Sequence, residues 1–430
     1  MGHFFKKPII CHSFDDIKSE SRLKLLFESK TPPVVIFPVS HAVGLSVIRT
    51  LEDYGIPLLA LDFKRHSAGL YSRRVFPLLL PGLYDSTDSF VEGMLTLGSC
   101  FSERPVLFCV DDEDLFLSLK RRDEFEEYYR FPLSTWDIVK RIVDKGRFYK
   151  ILEENHLPVP KTWHAKNIDK LHDCKKEIEF PCILKPIYST AFRQQFNEKA
   201  KRFITFKELV NYAETVSRAG IEFIIQEYIP GDATRLLTYA AYSDDEGNVT
   251  ASFTGRKVHQ FPPDFGTCRL GESIKHPELE ILGKKILKTF KYRGISLAEF
   301  KVDTKGTIKA LEINPRPGDW PERLAQLCGA NLVLAAYKDT IGHQIESQHI
   351  NHFGLKWANV SEDFYYCVRG YRTLGYPDAH RGLWGWLKDL KGLATGAFFS
   401  WSDPAPGVIR TRGMLRDFWE REKEMRTRGR

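Results

Sequence analysis

Hydrophobic positions between residues 33 and 110 fall in short runs rich in β-branched residues, separated by turns and by longer stretches with helical spacing. Residues 33–39 predict a strand, 40–44 a small-residue turn and 45–54 a helix. A second strand is expected over 56–62, a third over 74–80, a helix over 86–97 and a fourth strand over 106–110, ending at Asp111 and Asp112. This alternation predicts a parallel sheet with helices on its faces. The turn at 40–44 sits where a nucleotide-binding fold would hold phosphate, but Gly-x-Gly-x-x-Gly is absent. A domain edge facing a ligand cleft is the plainer reading.

Past Pro132 the pattern changes. A helix is expected over 136–155, closed by Leu157-Pro158-Val159-Pro160, where proline blocks continuation. Residues 180–186 and 223–228 predict buried strands, and 236–242 with 250–258 a strand pair joined by the turn Asp245-Glu246-Gly247-Asn248. The division that follows is 1–135 as a Rossmann-like N-terminal domain, 136–345 as an α+β domain, and 346–430 as a basic, Trp-rich C-terminal segment.

Composition narrows the class. The 430 residues are 43% hydrophobic and 28% charged, which excludes a disordered chain and leaves ample material for a large core. Eight scattered cysteines with no Cys-x-x-Cys pair predict buried free thiols, and no apolar run reaches the length of a membrane span; the expectation is a cytoplasmic protein. A net charge of +7, from 63 basic against 56 acidic residues, suits an anionic ligand but does not argue for nucleic acid.

The chemistry concentrates in Leu297-Ala298-Glu299-Phe300-Lys301-Val302-Asp303 and Ile308-Lys309-Ala310-Leu311-Glu312-Ile313-Asn314-Pro315-Arg316, which read as a hairpin. With Lys305-Gly306 as a two-residue loop, Glu299 lies opposite Glu312, and Asn314 points to the same face. Two facing carboxylates repel unless a cation sits between them, and hard oxygen donors suit magnesium. Without metal, neutralising Glu312 is therefore expected to leave stability unchanged or higher. Upstream, Lys185 emerges from an apolar strand and calls for an anionic partner. Lys145, in Val143-Asp144-Lys145-Gly146-Arg147, carries only a weak signal by itself.

The order of these pieces resembles the ATP-grasp superfamily over about residues 33–345: Asp144-Lys145, Leu184-Lys185-Pro186, Gln226-Glu227-Tyr228-Ile229-Pro230-Gly231, Ala298-Glu299-Phe300 and Glu312-Ile313-Asn314-Pro315-Arg316. Thr254-Gly255-Arg256-Lys257 with 261–267 makes it similar to the branch of carboxylate-amine ligases that contains D-aspartate ligase. The resemblance implies a pre-ATP-grasp domain followed by an ATP-grasp domain, with ATP and Mg2+ (or Mn2+) as cofactors. It implies that Lys145 and Lys185 contact ATP phosphates, that Gln226, Glu227, Tyr228 and Ile229 form the adenine-facing hinge, and that Asp232 approaches the ribose. Glu299, Glu312 and Asn314 would hold the metal, Lys257 would approach the terminal phosphate, and Arg316 would face the acyl phosphate or the carboxylate substrate. One departure stands out. The glycine-rich phosphate loop of many members is replaced by Ile187-Tyr188-Ser189-Thr190-Ala191-Phe192-Arg193, in which backbone donors over 189–191 would have to wrap the phosphate.

The activity implied is ATP-dependent joining of a carboxylate to an amine through an acyl phosphate, with ADP and phosphate released. The alternatives are carboxylation through carboxyphosphate and a non-catalytic nucleotide-binding protein. Expected partners are small-molecule carboxylate and amine substrates and, open at this point, a second copy of the chain. The tail from 350 carries 14 Lys plus Arg against 9 Asp plus Glu. It leaves two readings open: Trp384, Leu387 and Leu390 as the buried face of a short docking helix, or a surface that meets an anionic membrane or polymer.

Overall fold

The computed structural model describes residues 7–370, 376, 379–414 and 416, and its chain divides into two compact units, 1–132 with 316–430, and 133–315. In the first, strands β1 (Ile9–Ile10), β2 (Val34–Phe37), β3 (Leu58–Asp62), β4 (Phe76–Leu79) and β5 (Val106–Cys109) form one sheet in the order β1-β4-β3-β2-β5. Every pairing is parallel. β2, β3 and β5 are buried at every position, as continuous apolar runs in a parallel sheet require when helices cover both faces.

Residues 316–345, expected with the central domain, fall in this first unit. The helix Pro321–Leu327 and the helix Leu332–Thr340 meet the helix Ala42–Leu51. Arg323 donates to the Arg49 carbonyl at 2.6 Å and Asn331 to the Thr50 carbonyl at 2.8 Å.

Within the same unit the tail is docked by Arg49. Its guanidinium is buried and donates to the carbonyls of Gly396, Ala397 and Phe398 at 2.9, 3.2 and 2.6 Å. Asp403 accepts from the Arg73 amide at 3.1 Å. The docking helix, Gly382–Asp389, turns a different face inward from the one expected: Trp386 is buried and donates to Asp363 at 2.9 Å, while Trp384 is 82% exposed and Leu387 is exposed too. An indole whose N–H has a buried acceptor outcompetes an apolar stripe that has none. Arg49→Ala is expected to lower stability by about 2–4 kcal/mol, since three carbonyls, two of them buried, lose a charged donor; urea unfolding of the full chain measures it. Most of the expected terminal helix over 410–430 lies outside the described residues.

The second unit holds two sheets. Strands β6 (Thr162–Trp163), β7 (Cys182–Pro186), β8 (Lys201–Phe203) and β9 (Phe223–Glu227) pair antiparallel in the order β6-β9-β7-β8. One face of this sheet packs a core that includes Trp163, Leu184, Phe192, Phe203, Leu209 and Ile225. The other sheet runs β14-β13-β10-β11-β12, from β10 (Leu236–Ser243), β11 (Val249–Phe261), β12 (Thr267–Ser273), β13 (Gly294–Val302) and β14 (Ile308–Asn314), antiparallel throughout.

The expected single helix over 136–155 is two helices, Trp136–Val143 and Lys145–Glu154. Asp144 adopts an extended backbone and its carboxylate accepts from the Arg147 amide at 3.0 Å, so it ends one helix and caps the next. Lys145 becomes the first residue of the new helix. All eight cysteines are free, six of them buried.

Candidate active site

The hairpin sets the geometry. Its loop is longer by one residue than expected: Asp303 and Thr307 close a turn over Thr304, Lys305 and Gly306, with Gly306 at φ +86° and the Asp303 carboxylate accepting from the amides of Lys305 and Thr307. Left alone, that loop would slide Glu312 off Glu299. A bulge reverses the slip. Lys301 pairs with Lys309 and Phe300 with Ala310, Leu311 is extra, and from there Glu299 stands opposite Glu312 and Leu297 opposite Asn314. The Leu311 carbonyl, left outside the ladder, accepts from the Tyr149 hydroxyl at 2.5 Å. Tyr149→Phe is therefore expected to cost about 1–2 kcal/mol of stability and to lower turnover by about tenfold, because the register of Glu312 loses its clamp; denaturation and steady-state ADP release measure the two effects.

A cavity in this unit is lined by residues from both sheets. The period of two along β7 sends Cys182 and Leu184 into the core, and Ile183 and Lys185 into the cavity. From the other sheet come Lys257 on β11, Glu299 and Lys301 on β13, and Leu311 and Glu312 on β14. Lys145 lines the same cavity and donates to the Ser189 hydroxyl at 3.0 Å. Lys257 is almost wholly buried and pairs with Glu299 at 2.9 Å.

Electrostatics bind these groups together. Burial pushes the Glu312 carboxyl up, but Lys145, Lys199, Lys185 and Lys257 outweigh it and hold it at about 2. Burial lowers the Lys185 ammonium against the pull of Glu312 and Glu299, and lowers Lys199 as well, helped there by Arg193. Lys145, Lys185, Lys199 and Lys257 outnumber the two carboxylates Glu299 and Glu312, and a surplus of cations is a site for a polyanion.

The structure brings most of the sequence-derived residues to this cavity and leaves others elsewhere. Gln226, Glu227, Tyr228 and Ile229 line it. The Gln226 side chain is already engaged, donating to Thr162 at 2.9 Å and accepting from Tyr149 at 3.4 Å, and Glu227 is paired with Lys309. Asp232 is not among the lining residues; its carboxylate accepts from the amide and hydroxyl of Thr234 and caps a short turn. Asn314 shares the strand face of Glu312 but does not line the cavity either. Arg316 belongs to the first unit, where it is ion-paired with Asp112.

Three basic lining residues have no role assigned from sequence: Arg193, Lys199 and Lys301. Lys199 gives no periodic signal because it lies in the connection before β8, so only the fold carries it to Glu312. The segment that replaces the glycine-rich loop is the helix Ser189–Phe196, with Ser189 in its first turn and on the cavity wall.

Two antiparallel sheets holding between them a lysine-ringed carboxylate pair define the class at the level of architecture: the chain has the ATP-grasp fold. In sequence it is similar to the D-aspartate ligase of Enterococcus faecium, 28% identical over 305 residues, 67% of this chain and 72% of that protein. Among solved structures it superposes on the biotin carboxylase of Campylobacter jejuni, crystallised as a β,γ-ATP complex, with a TM-score of 0.62 at 16% identity over 75% of this chain and 74% of that one. It also superposes on the L-amino acid ligase of Bacillus licheniformis, with a TM-score of 0.54 at 14% identity over 74% and 76% of the two chains. No protein-family model matches the chain. Among the described residues no helix is long and apolar enough to cross a membrane.

Proposed function

We propose that the protein is an ATP-dependent carboxylate-amine ligase that works through an acyl phosphate and releases ADP and phosphate. What carries the reading is the convergence of Lys145, Lys185, Lys199 and Lys257 on Glu312, beside a second carboxylate in register. A structural ion pair needs one lysine. Four lysines around two carboxylates leave positive charge over, and a triphosphate supplies the balance.

The similarity to D-aspartate ligase supports the ligase reading over carboxylation, and the complete Glu299 and Glu312 pair supports catalysis over mere nucleotide binding. The strand end at Gln226 to Ile229 would border the base, leaving the phosphates toward Lys145 and Lys185. Glu299 and Glu312 are hard oxygen donors facing each other across two strands and fit magnesium, with Asn314 two places along the same face as a further donor; the metal would neutralise charge on the triphosphate when bound.

The protein's own residues then do the rest. An oxygen of the substrate carboxylate forms a bond to the γ-phosphorus as the bond to the β,γ-bridging oxygen breaks and ADP departs. The amine nitrogen attacks the acyl carbon, the carbon–oxygen bond to phosphate breaks, and the ammonium formed loses its proton. Lys185 and Lys257, desolvated and fixed, would meet charge spreading over the transferring group without reorganisation.

The test is ADP and phosphate release measured against pools of amino acids and small carboxylates, with mass spectrometry of the product. Hydroxylamine, added with the true carboxylate, is expected to trap the acyl group as a hydroxamate. Stoichiometric AMP and pyrophosphate would exclude the mechanism.

A further inference from the structure

Of the 20 large hydrophobic residues left exposed among the described residues, 11 fall between Phe353 and Trp401. Single exposed hydrophobic residues are ordinary on a folded surface, and their concentration in one segment sets that segment apart. The helix Gly382–Asp389 shows how the surface is held open. Trp386 faces inward, pinned by its bond to Asp363 and by the Phe364 ring, whose centroid is 5.0 Å away. At about 100° per residue Trp384 lies nearly opposite that anchor and Leu383 and Leu387 lie on its flank, and all three are exposed. Further along, Phe399 and Trp401 pack edge to face at 5.0 Å, and Trp401 is 91% exposed.

The charge of this stretch of sequence selects the partner. Residues 350–430 carry 14 basic against 9 acidic side chains, so +5 of the chain's +7 belongs to them, and among the described residues Lys388 and Lys391 are exposed. Lys388 continues the exposed arc and Lys391 follows within a turn. Tryptophan tips and leucines flanked by lysines suit the boundary between headgroups and acyl chains, where the indole rests among headgroups and the ammonium meets lipid phosphate.

We propose that this segment docks the protein on anionic phospholipid membranes. The full-length protein, mixed at low salt with vesicles of phosphatidylcholine containing phosphatidylserine, is expected to pellet with them and to show blue-shifted tryptophan emission. High salt or pure phosphatidylcholine should weaken the binding. Lys388→Glu with Lys391→Glu should reduce partitioning by roughly fivefold or more per residue. Trp384→Ala with Trp401→Ala should abolish it at wild-type melting temperature, since neither ring is buried. Absence of pelleting at low salt overturns the proposal, as does vesicle binding that both double variants leave unchanged. Self-association in sedimentation that is lost in the tryptophan variant, without vesicle binding, would assign the surface to a second copy of the chain instead.

Discussion

Lys185→Ala is expected to lower turnover by about 10²–10³-fold and to weaken nucleotide binding, while the protein stays folded. The side chain leaves a strand whose other face is core and lines the cavity without filling that core. Two terms oppose each other in the free protein. Burial disfavours the charge and lowers its proton affinity, while Glu312 and Glu299 favour it. Removing it therefore changes stability little. The bound triphosphate feels the loss in full, because a desolvated cation has no competing water. Calorimetric titration with nucleotide and a steady-state assay together decide the matter: unchanged affinity with normal turnover would return Lys185 to a purely structural role.

Glu312→Gln should abolish activity, by about 10³-fold, and cost about 1–3 kcal/mol of stability at neutral pH. The hairpin read in isolation points the other way, toward relief of repulsion between facing carboxylates. The lysines reverse that sign: Lys257 is paired with Glu299, and Lys145, Lys199 and Lys185 join it in holding Glu312 charged. The carboxyl is depressed from 4.5 to about 2 in the folded state. Its stabilisation is thus complete above about pH 4.5 and is lost as pH falls toward 2, where the group takes up a proton. Thermal unfolding from neutral to acid pH should show wild type and variant converging over that window. Curves that stay parallel would remove Glu312 from the lysine cluster.

Much of this site is legible in the chain alone, for an identifiable reason. Strand alternation is local, so an isolated charge in an apolar run, such as Lys185 or Glu312, announces itself wherever the strand ends up. The break at Asp144 escaped because Val143 and Arg147 continue a helical pattern across it; only the cap shows that the axis changes there. The hairpin register was anticipated from a loop of the wrong length, and it holds because Leu311 bulges. A bulge is stabilised by what catches its stray carbonyl, here Tyr149, far away in sequence.

The sequence by itself determined the parallel N-terminal sheet, the free cysteines, the hairpin that carries Glu299 and Glu312, and Lys185 as a charge on an apolar strand; Lys145 and Lys257 came only with the resemblance in motif order. The former follow from side-chain period and local turn chemistry, each readable within a few residues. Tertiary structure decided the rest: Lys199 beside Glu312, Lys309 on Glu227, Arg316 on Asp112, residues 316–345 in the first unit, and Trp386 rather than Trp384 as the buried anchor. The physical reason is common to all five. A charge or an indole settles where its partner removes the cost of desolvation, and that partner lies on another element whose position no local pattern encodes.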